Sequence, residues 1–385
     1  MKLIRRKNNV LICLMLMTLA SGILCGEVKA QTPAQDCGNL NGDAAIVACN
    51  EAIRLNPKDA GAYLNRGVEW SAKGDNDRAI ADFNEAIRLN PQYANAYLNR
   101  GVEWSAKGDN DRAIADFNEA IRLNPQYANA YYNRGNAWSA KGDKDRAIAD
   151  FNEAIRLNPK DAVAYYNRGV EWSAKGDKDR GIADYNEAIR LNPKDADAYN
   201  NRGNAWSAKG DKDRGIADYN EAIRLNPQYA KAYLNRGVEW SAKGDKDRAI
   251  ADYSEAIRLN PQYANAYNNR GSEWSAKGDN DRAIADYNEA IRLNPQYAVA
   301  YVNRGAAWSA KGDKDRAIAD FNEAIRLNPK DADAYYNRAL YWEFKNDLAQ
   351  ALTDFRNFAR LNPNDSDGPK AIQRIENKID AKKGR

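Results

Sequence analysis

Few side chains in this sequence could carry out catalysis. Its 385 residues include no histidine, so the commonest general base of enzymes is missing. Ser71 and its repeat copies lie in helical patterns, no nucleophile and base stand out, and no glycine-rich phosphate loop occurs. Asp75 and Asp77 form an acidic pair, but their place at a predicted turn favours capping of backbone N–H groups. We therefore predict that the chain is not an enzyme.

Asparagine recurs at one fixed place in every repeated segment of the chain. A carboxamide has hydrogen-bond donors and an acceptor, so a row of carboxamides can pair with an extended polypeptide backbone, at about 1 kcal/mol net per bond. The alternative is that these asparagines cap local structure or meet water, because near-verbatim duplication alone would reproduce them. The row consists of Asn65, Asn99, Asn133, Asn167, Asn201, Asn235, Asn269, Asn303 and Asn337.

The last and most diverged segment offers a small test of these alternatives. It has Ala339 and Asn346 where the segment before it has glycines, yet it keeps Asn337. It also keeps Arg338, whose side chain has no role that the sequence alone reveals.

Residues 1–30 have the pattern of a signal peptide. A basic start precedes the apolar run VLICLMLMTLASGIL, and Val28 and Ala30 have the small side chains that suit cleavage after Ala30. An uncleaved membrane anchor and a lipoprotein attached through Cys25 are the alternatives, although Leu24 is larger than the residue that usually precedes a lipoprotein cysteine. We expect a periplasmic or secreted protein with no membrane insertion after cleavage.

Two cysteines, Cys37 and Cys49, remain after such a cleavage. In an oxidising compartment we expect them to form a disulfide, which would stabilise the fold by roughly 2 to 3 kcal/mol through the unfolded state. Two reduced, buried thiols are the alternative. No metal is expected, because two thiols without histidine do not complete a four-ligand zinc shell. The sequence implies no cofactor.

The excess of positive charge is confined to the predicted signal peptide. The chain has a formal net charge of +4, and residues 1–30 contain five lysines or arginines against one glutamate, which accounts for all of it. The remainder is neutral and has no basic block interleaved with aromatic residues. Nucleic acid and anionic lipid are therefore not expected as partners.

A 34-residue period organises most of the chain. The motif RLNP recurs with its proline at every 34th position from Pro57 to Pro363. Within the unit 94–127, two segments each have one apolar face at helical spacing, and Pro125 must end the second. The pattern predicts an all-α fold of tandem 34-residue helical hairpins.

Small and large residues alternate on the two apolar faces of this unit. We expect Gly101 to let the helices approach closely where they cross, while Trp104 and Phe117 fill the space on either side. Gly108 suits the left-handed end of the first helix, and Asp111 is predicted to cap the second.

This unit resembles the tetratricopeptide repeat. Arg100 stands where that family usually has leucine. The resemblance covers nine units, and it implies a right-handed α–α superhelix, or solenoid, with first helices along its concave side. The matching residues are Tyr97, Gly101, Trp104, Ala113, Phe117, Ala120 and Pro125.

The resemblance also implies where a partner would bind. We expect a non-catalytic scaffold that holds an extended peptide or protein segment in the concave groove, similar to the asparagine ladder of the O-linked N-acetylglucosamine transferase superhelix. A structural spacer or self-associating array is the alternative. The groove positions expected to be free of packing in the second unit are Asn95, Leu98, Asn99, Val102 and Ser105.

The predicted organisation has four parts. Residues 1–30 form the signal peptide, and residues 31–59 form a half-repeat cap that contains the disulfide. Nine repeats follow over 60–365, and residues 366–385 form a capping helix with a basic tail.

Overall fold

The structure, a computed structural model, describes residues 32–383. The predicted signal peptide, residues 1–30, lies outside this range, so cleavage after Ala30 stays a prediction. All regular secondary structure in the described range is helical, and the chain divides into two compact units between Pro193 and Lys194. No helix of this range is both long and apolar enough to cross a membrane.

The first unit has two leading helices, of 7 and 14 residues, followed by four hairpins. Each hairpin pairs a helix of 13 residues with one of 14 residues. Its two helices pack side by side, and the second also packs on the first helix of the next hairpin within the unit, which makes a solenoid. The helices are α1 (Pro33–Asn39), α2 (Gly42–Leu55), α3 (Ala60–Ala72), α4 (Asn76–Leu89), α5 (Ala94–Ala106), α6 (Asn110–Leu123), α7 (Ala128–Ala140), α8 (Lys144–Leu157), α9 (Ala162–Ala174) and α10 (Lys178–Leu191).

The second unit stacks five hairpins in the same way and adds a final helix. The consecutive pairs pack as in the first unit, and the last helix packs on α20. The helices are α11 (Ala196–Ala208), α12 (Lys212–Leu225), α13 (Ala230–Ala242), α14 (Lys246–Leu259), α15 (Ala264–Ala276), α16 (Asn280–Leu293), α17 (Ala298–Ala310), α18 (Lys314–Leu327), α19 (Ala332–Phe344), α20 (Leu348–Leu361) and α21 (Asp367–Lys383).

The turn inside each hairpin has a glycine and an aspartate in fixed roles. Gly108 has a φ of 81°, the left-handed conformation predicted for it. The N-cap of α6 is Asp109, whose side chain accepts a hydrogen bond from the backbone N–H of Arg112 at 3.0 Å. The prediction that Asp111 caps this helix was wrong. Asp111 is already the second residue of the helix and instead forms an ion pair with Lys141 of the next hairpin.

The predicted alternation of small and large residues is confirmed inside the hairpin. A Cβ atom added to Gly101 would lie 2.6 Å from Cε1 of Phe117, closer than any real carbon contact. Phe117 and Ala113 have no exposed surface. Trp104 is half-buried, and the Arg112 guanidinium lies over its ring at 3.6 Å from the centroid. The glycine therefore sets how closely α5 and α6 approach.

The side of the first helix that was expected to be free of packing is largely buried. Leu98, Asn99 and Val102 expose 3%, 5% and 5% of their surface. Leu98 and Val102 pack with residues of their own second helix, α6, and of the next first helix, α7. Consecutive first helices contact each other within a unit. Of the five positions predicted to be available to a ligand, only Asn95 is exposed and Ser105 half-exposed.

The chain before the first hairpin is closed by its two cysteines. The sulfur atoms of Cys37 and Cys49 lie at bonding distance, 2.10 Å, and both residues are buried. This link joins α1 to α2, and α1 also packs on α3. The cysteines therefore fix the leading helices against the first hairpin.

The other end of the second unit is covered by α21. Ile375 on α21 is fully buried in a cluster with Phe355 of α20. On the same helix, Arg374 and Lys378 both form ion pairs with Glu343 of α19, each at 2.7 Å. Charged and apolar contacts together hold α21 on the last hairpin.

Reduction of the Cys37–Cys49 link is expected to loosen only the leading helices. Opening a loop with a sequence separation of 12 removes about 3 kcal/mol of stabilisation. Hydrogen exchange with and without reductant should show faster exchange in α1 and α2 and unchanged exchange in α5–α8, because solenoid stability is local. A variant with Cys37→Ser and Cys49→Ser should not respond to reductant. Faster exchange throughout the unit would contradict this expectation.

Candidate functional site

One arginine of α5 links three helices. In the second hairpin, Nε and Nη2 of Arg100 donate to the two carboxylate oxygens of Asp116 on α6, at 2.8 and 2.6 Å. Nη1 donates to Oδ1 of Asn84 on the preceding α4, at 2.6 Å. The guanidinium also lies 5.6 Å from the Tyr97 ring centroid. The hydrogen bonds to Asp116 raise the pKa of Arg100 above its ordinary value.

The pairing of this arginine with its aspartate, the arginine clamp, recurs in every described hairpin. Where a second helix precedes the arginine within the same unit, Nη1 also bonds that helix. The aspartate side chains are nearly buried, with 4% to 9% exposed, whereas the arginines keep about a fifth of their surface in solvent. Arg338, which the sequence left without a role, pairs with Asp354 in this way. The other pairs are Arg66–Asp82, Arg134–Asp150, Arg168–Asp184, Arg202–Asp218, Arg236–Asp252, Arg270–Asp286 and Arg304–Asp320.

The predicted asparagine row lies next to these arginines, one residue earlier on each first helix. In the first unit, Nδ2 of Asn167 donates to Oδ1 of Asn136 at 3.0 Å and to the Tyr132 hydroxyl at 3.1 Å, both on the preceding first helix. Nδ2 of Asn133 instead donates to the backbone carbonyl of Asn129, one turn earlier in its own helix, at 2.8 Å. The hydrogen-bond acceptor of each asparagine amide therefore depends on which side chains the preceding hairpin supplies.

The same two modes occur in the second unit. Nδ2 of Asn235 donates to Oδ1 of Asn200 and of Asn204 on the preceding first helix, both at 3.0 Å. Nδ2 of Asn303 donates to Oδ1 of Asn268 at 3.0 Å. Before Asn337 the two bridging places of the preceding first helix are Val302 and Ala306, which cannot accept through their side chains, and the Asn337 amide donates to the backbone carbonyl of Asp333 in its own helix.

The remaining asparagines of the row have other surroundings. Asn99 is buried and Asn65 half-buried. Asn201 accepts from the amide of Asn200 at 3.4 Å, and Asn269 accepts from Asn268 at 3.3 Å. The structure thus does not present the nine predicted residues as one uniform set.

The bridging asparagines leave their acceptors available. Among residues 32–383, no donor reaches Oδ1 of Asn167, Asn235 or Asn303. Valines lie about one helical turn away on the same side of each helix. Val163 exposes 49% of its surface, and Val238 and Val299 expose 41% and 46%. The first unit therefore has one available carboxamide oxygen next to an exposed valine, and the second unit has two. We call this surface of the first helices the first-helix face.

A buried glutamate between hairpins was not anticipated from the sequence. Glu103 on α5 exposes only 3% of its surface and accepts a hydrogen bond from the Ser71 hydroxyl of α3 at 2.5 Å. Burial raises the pKa of Glu103 above its ordinary value, and the Ser71 hydrogen bond opposes that effect. Glu171 and Glu273 accept from Ser139 and Ser241 in the same way. The 32-residue offset between serine and glutamate was the available signal.

The acidic pair of the sequence has two structural roles. Asp75 is the N-cap of α4 and accepts from the backbone N–H of Arg78 at 3.1 Å, as predicted. Asp77 forms an ion pair with Lys107 of the next hairpin instead of capping. In the described part of the chain, no group of three or more His, Cys, Asp or Glu side chains is placed to hold a metal ion.

Three family models match most of the repeated region. Two are described as "Tetratricopeptide repeat" and one as "TPR repeat". The first matches residues 105–162 and 166–230, the second 230–263 and 298–331, and the TPR repeat model 72–102 and 275–312. No match was found among curated proteins.

Several solved structures are similar to parts of this chain. MamA is 28% identical over 42% of this chain and 95% of its own, with a TM-score of 0.40. A tetratricopeptide repeat protein from Parabacteroides merdae is 21% identical over 64% of this chain and 98% of its own, with a TM-score of 0.50. The APC/C hetero-tetramer Cut9-Hcn1 is 14% identical over 86% of this chain and 92% of its own, with a TM-score of 0.51. The last two agree with the fold of stacked helical hairpins.

Glu103→Gln is expected to stabilise the first unit at neutral pH. A folded-state pKa above the unfolded value means that the carboxyl stabilises the fold below its unfolded pKa and loses this effect as the pH rises through the folded pKa. Glutamine still accepts from Ser71 but does not ionise. Thermal unfolding should therefore show a higher Tm for the variant at pH 7 and a smaller difference at pH 4.

Glu119, whose side chain is 32% exposed, is the matched control. Its pKa is lowered by the hydrogen bond from Arg122, so Glu119→Gln should not raise the Tm at pH 7. A gain for Glu103→Gln that is larger at pH 4 than at pH 7 would contradict the burial argument.

Proposed function

Because the chain belongs to the tetratricopeptide repeat family, we propose that it is a non-catalytic protein-interaction scaffold. Its first-helix face binds an extended peptide or protein segment, and each unit does so with its own hairpins. One observation carries this proposal: the bridging asparagines of the row use their amide nitrogens within the protein and leave their oxygens available.

The available oxygens suit the backbone of an extended peptide. Such a backbone rises about 3.3 Å per residue, and packed helices are roughly 8 to 10 Å apart, so about three peptide residues span one hairpin. One backbone N–H for each bridging asparagine is then within reach, and each such bond contributes about 1 kcal/mol net. The neighbouring valines would supply apolar contacts to alternate side chains. In this proposal the fixed amide nitrogens keep the oxygens oriented before the ligand arrives.

We also propose that the protein acts after export, in the periplasm or outside the cell. The sequence pattern of residues 1–30 suggests it, and a Cys37–Cys49 pair at bonding distance fits an oxidising compartment. The partner is a protein or peptide rather than nucleic acid, since the chain after residue 30 is neutral.

Peptide binding should depend on the oxygens of Asn235 and Asn303. Peptides of 12 residues selected from a random phage library on the purified protein would be labelled, and their Kd measured by fluorescence anisotropy. The double variant Asn235→Ala and Asn303→Ala should weaken binding about 30-fold, since two hydrogen bonds are lost at about 1 kcal/mol each. An unchanged Kd, or a library that yields no peptide, would contradict the proposal.

Asn200→Leu is the control for loss of packing. It removes one of the two acceptors that Asn235 bridges to and leaves the oxygen of Asn235 in place. It also introduces the residue that Leu234 supplies in the next hairpin. We expect it to keep the Kd within about threefold of the parent. If Asn200→Leu weakens binding as much as the double variant does, the asparagines act through packing between hairpins and do not contact the ligand.

A further inference from the structure

The last hairpin departs from the repeated pattern, and several of its departures have a clear structural reason. Glu343 replaces a serine and receives Arg374 and Lys378 of α21. Tyr341 packs edge-on against Trp342, with ring centroids 4.9 Å apart. Duplication of a hairpin reproduces the residues that hairpins share. A residue that differs from its repeat copies and is not needed for the fold is therefore a candidate for binding.

Phe344 is such a departure. Its side chain is 67% exposed at the end of α19, and Leu340, one turn earlier on the same side of the helix, is 40% exposed. On the neighbouring first helix α17, the corresponding residues are Ala306 and Ala310, both exposed. We call these four residues the Leu340–Phe344 patch. In the other eight hairpins, the residue at the place of Phe344 is Ala72, Ala106, Ala140, Ala174, Ala208, Ala242, Ala276 or Ala310.

The side-chain sizes in this patch favour a large apolar group of a ligand. Within the second unit, the small side chains of Ala306 and Ala310 on α17 lie beside the large side chains of Leu340 and Phe344 on α19. Leu340 and Phe344 are neighbours on the helix surface, and adjoining exposed apolar side chains, unlike scattered ones, are a feature of binding sites. An apolar side chain placed on the alanines would cover both.

A lysine without a carboxylate partner lies at the edge of the patch. Nζ of Lys314 is 5.4 Å from the Phe344 ring centroid and donates to the Ser309 hydroxyl at 3.0 Å. Within residues 32–383, no carboxylate comes within ion-pair distance of it, whereas nearby Lys345 has Asp315 at 3.9 Å. The charge beside the apolar surface is therefore positive and available.

We propose that the Leu340–Phe344 patch is a specificity site for a partner segment with a large aliphatic or aromatic side chain next to an aspartate or glutamate. The apolar group lies on Ala306 and Ala310 against Phe344, and the carboxylate pairs with Lys314. This inference rests on the proposed peptide-binding function and deepens it by naming the class of partner.

The phage-selected peptides test this site on the full protein. We expect the enriched sequences to place an acidic residue beside a large apolar one. Their Kd should rise at least tenfold with Phe344→Ala, which restores the residue of the other hairpins and should fold normally. Lys314→Gln should raise the Kd about threefold and flatten its dependence on salt. Val47→Ala, at another exposed apolar residue, should leave the Kd unchanged.

Three results would overturn the inference. If the enriched peptides bind Phe344→Ala as tightly as the parent, the Leu340–Phe344 patch is not a specificity site. If their binding still depends on Asn235 and Asn303, the proposed function stands. If the enriched peptides contain no acidic residue and Lys314→Gln leaves the Kd unchanged, the partner has no carboxylate that pairs with Lys314. A concentration-dependent dimer in sedimentation velocity that Phe344→Ala abolishes would make a second copy of the chain the occupant.

Discussion

The arginine clamp is the interaction on which the rest of the structure depends. A nearly buried aspartate would be costly in a helical core unless a cation and further hydrogen bonds compensate for lost hydration. Arg236 supplies both for Asp252, and its third nitrogen bonds Asn220 of the preceding hairpin. A planar guanidinium does this in one geometry only, so the clamp fixes both the hairpin and its neighbour. The asparagine row is one residue away and is thereby positioned.

Because the hairpins are nearly identical, apolar packing alone does not determine which hairpin packs next to which. Polar contacts between hairpins help to determine it. Apolar faces of equal shape pack in many combinations, whereas a buried amide needs a partner at one place. Asn235 bonds Asn200 and Asn204, while Asn133 turns to its own helix. We infer that these differences in hydrogen-bond partners make one junction between hairpins distinct from another within a unit. The same variation leaves some carboxamide oxygens available to a ligand.

Sequence predicted the apolar packing within one hairpin, but it missed the contacts between hairpins and some of the polar contacts within a hairpin. The 34-residue period and the packing of Gly101 on Phe117 followed from helical spacing alone. Leu98 was placed on a ligand surface because a single hairpin does not show that consecutive first helices touch. Asp111 was assigned a cap that belongs to Asp109, an error of two residues that changes the side of the helix. The clamp was missed, although Arg100 and Asp116 recur with a constant separation of 16 residues.

The most direct test of this account is a double-mutant cycle on the clamp, read by native-state hydrogen exchange in α13 and α14. Arg236→Leu and Asp252→Leu should each cost about 3 kcal/mol, because each leaves a largely buried charge without its partner. The double variant should lose clearly less than the two single losses added together, giving a coupling of roughly 2 kcal/mol or more. Losses that simply add, or single variants that exchange like the parent, would contradict the claim that this pair organises the array.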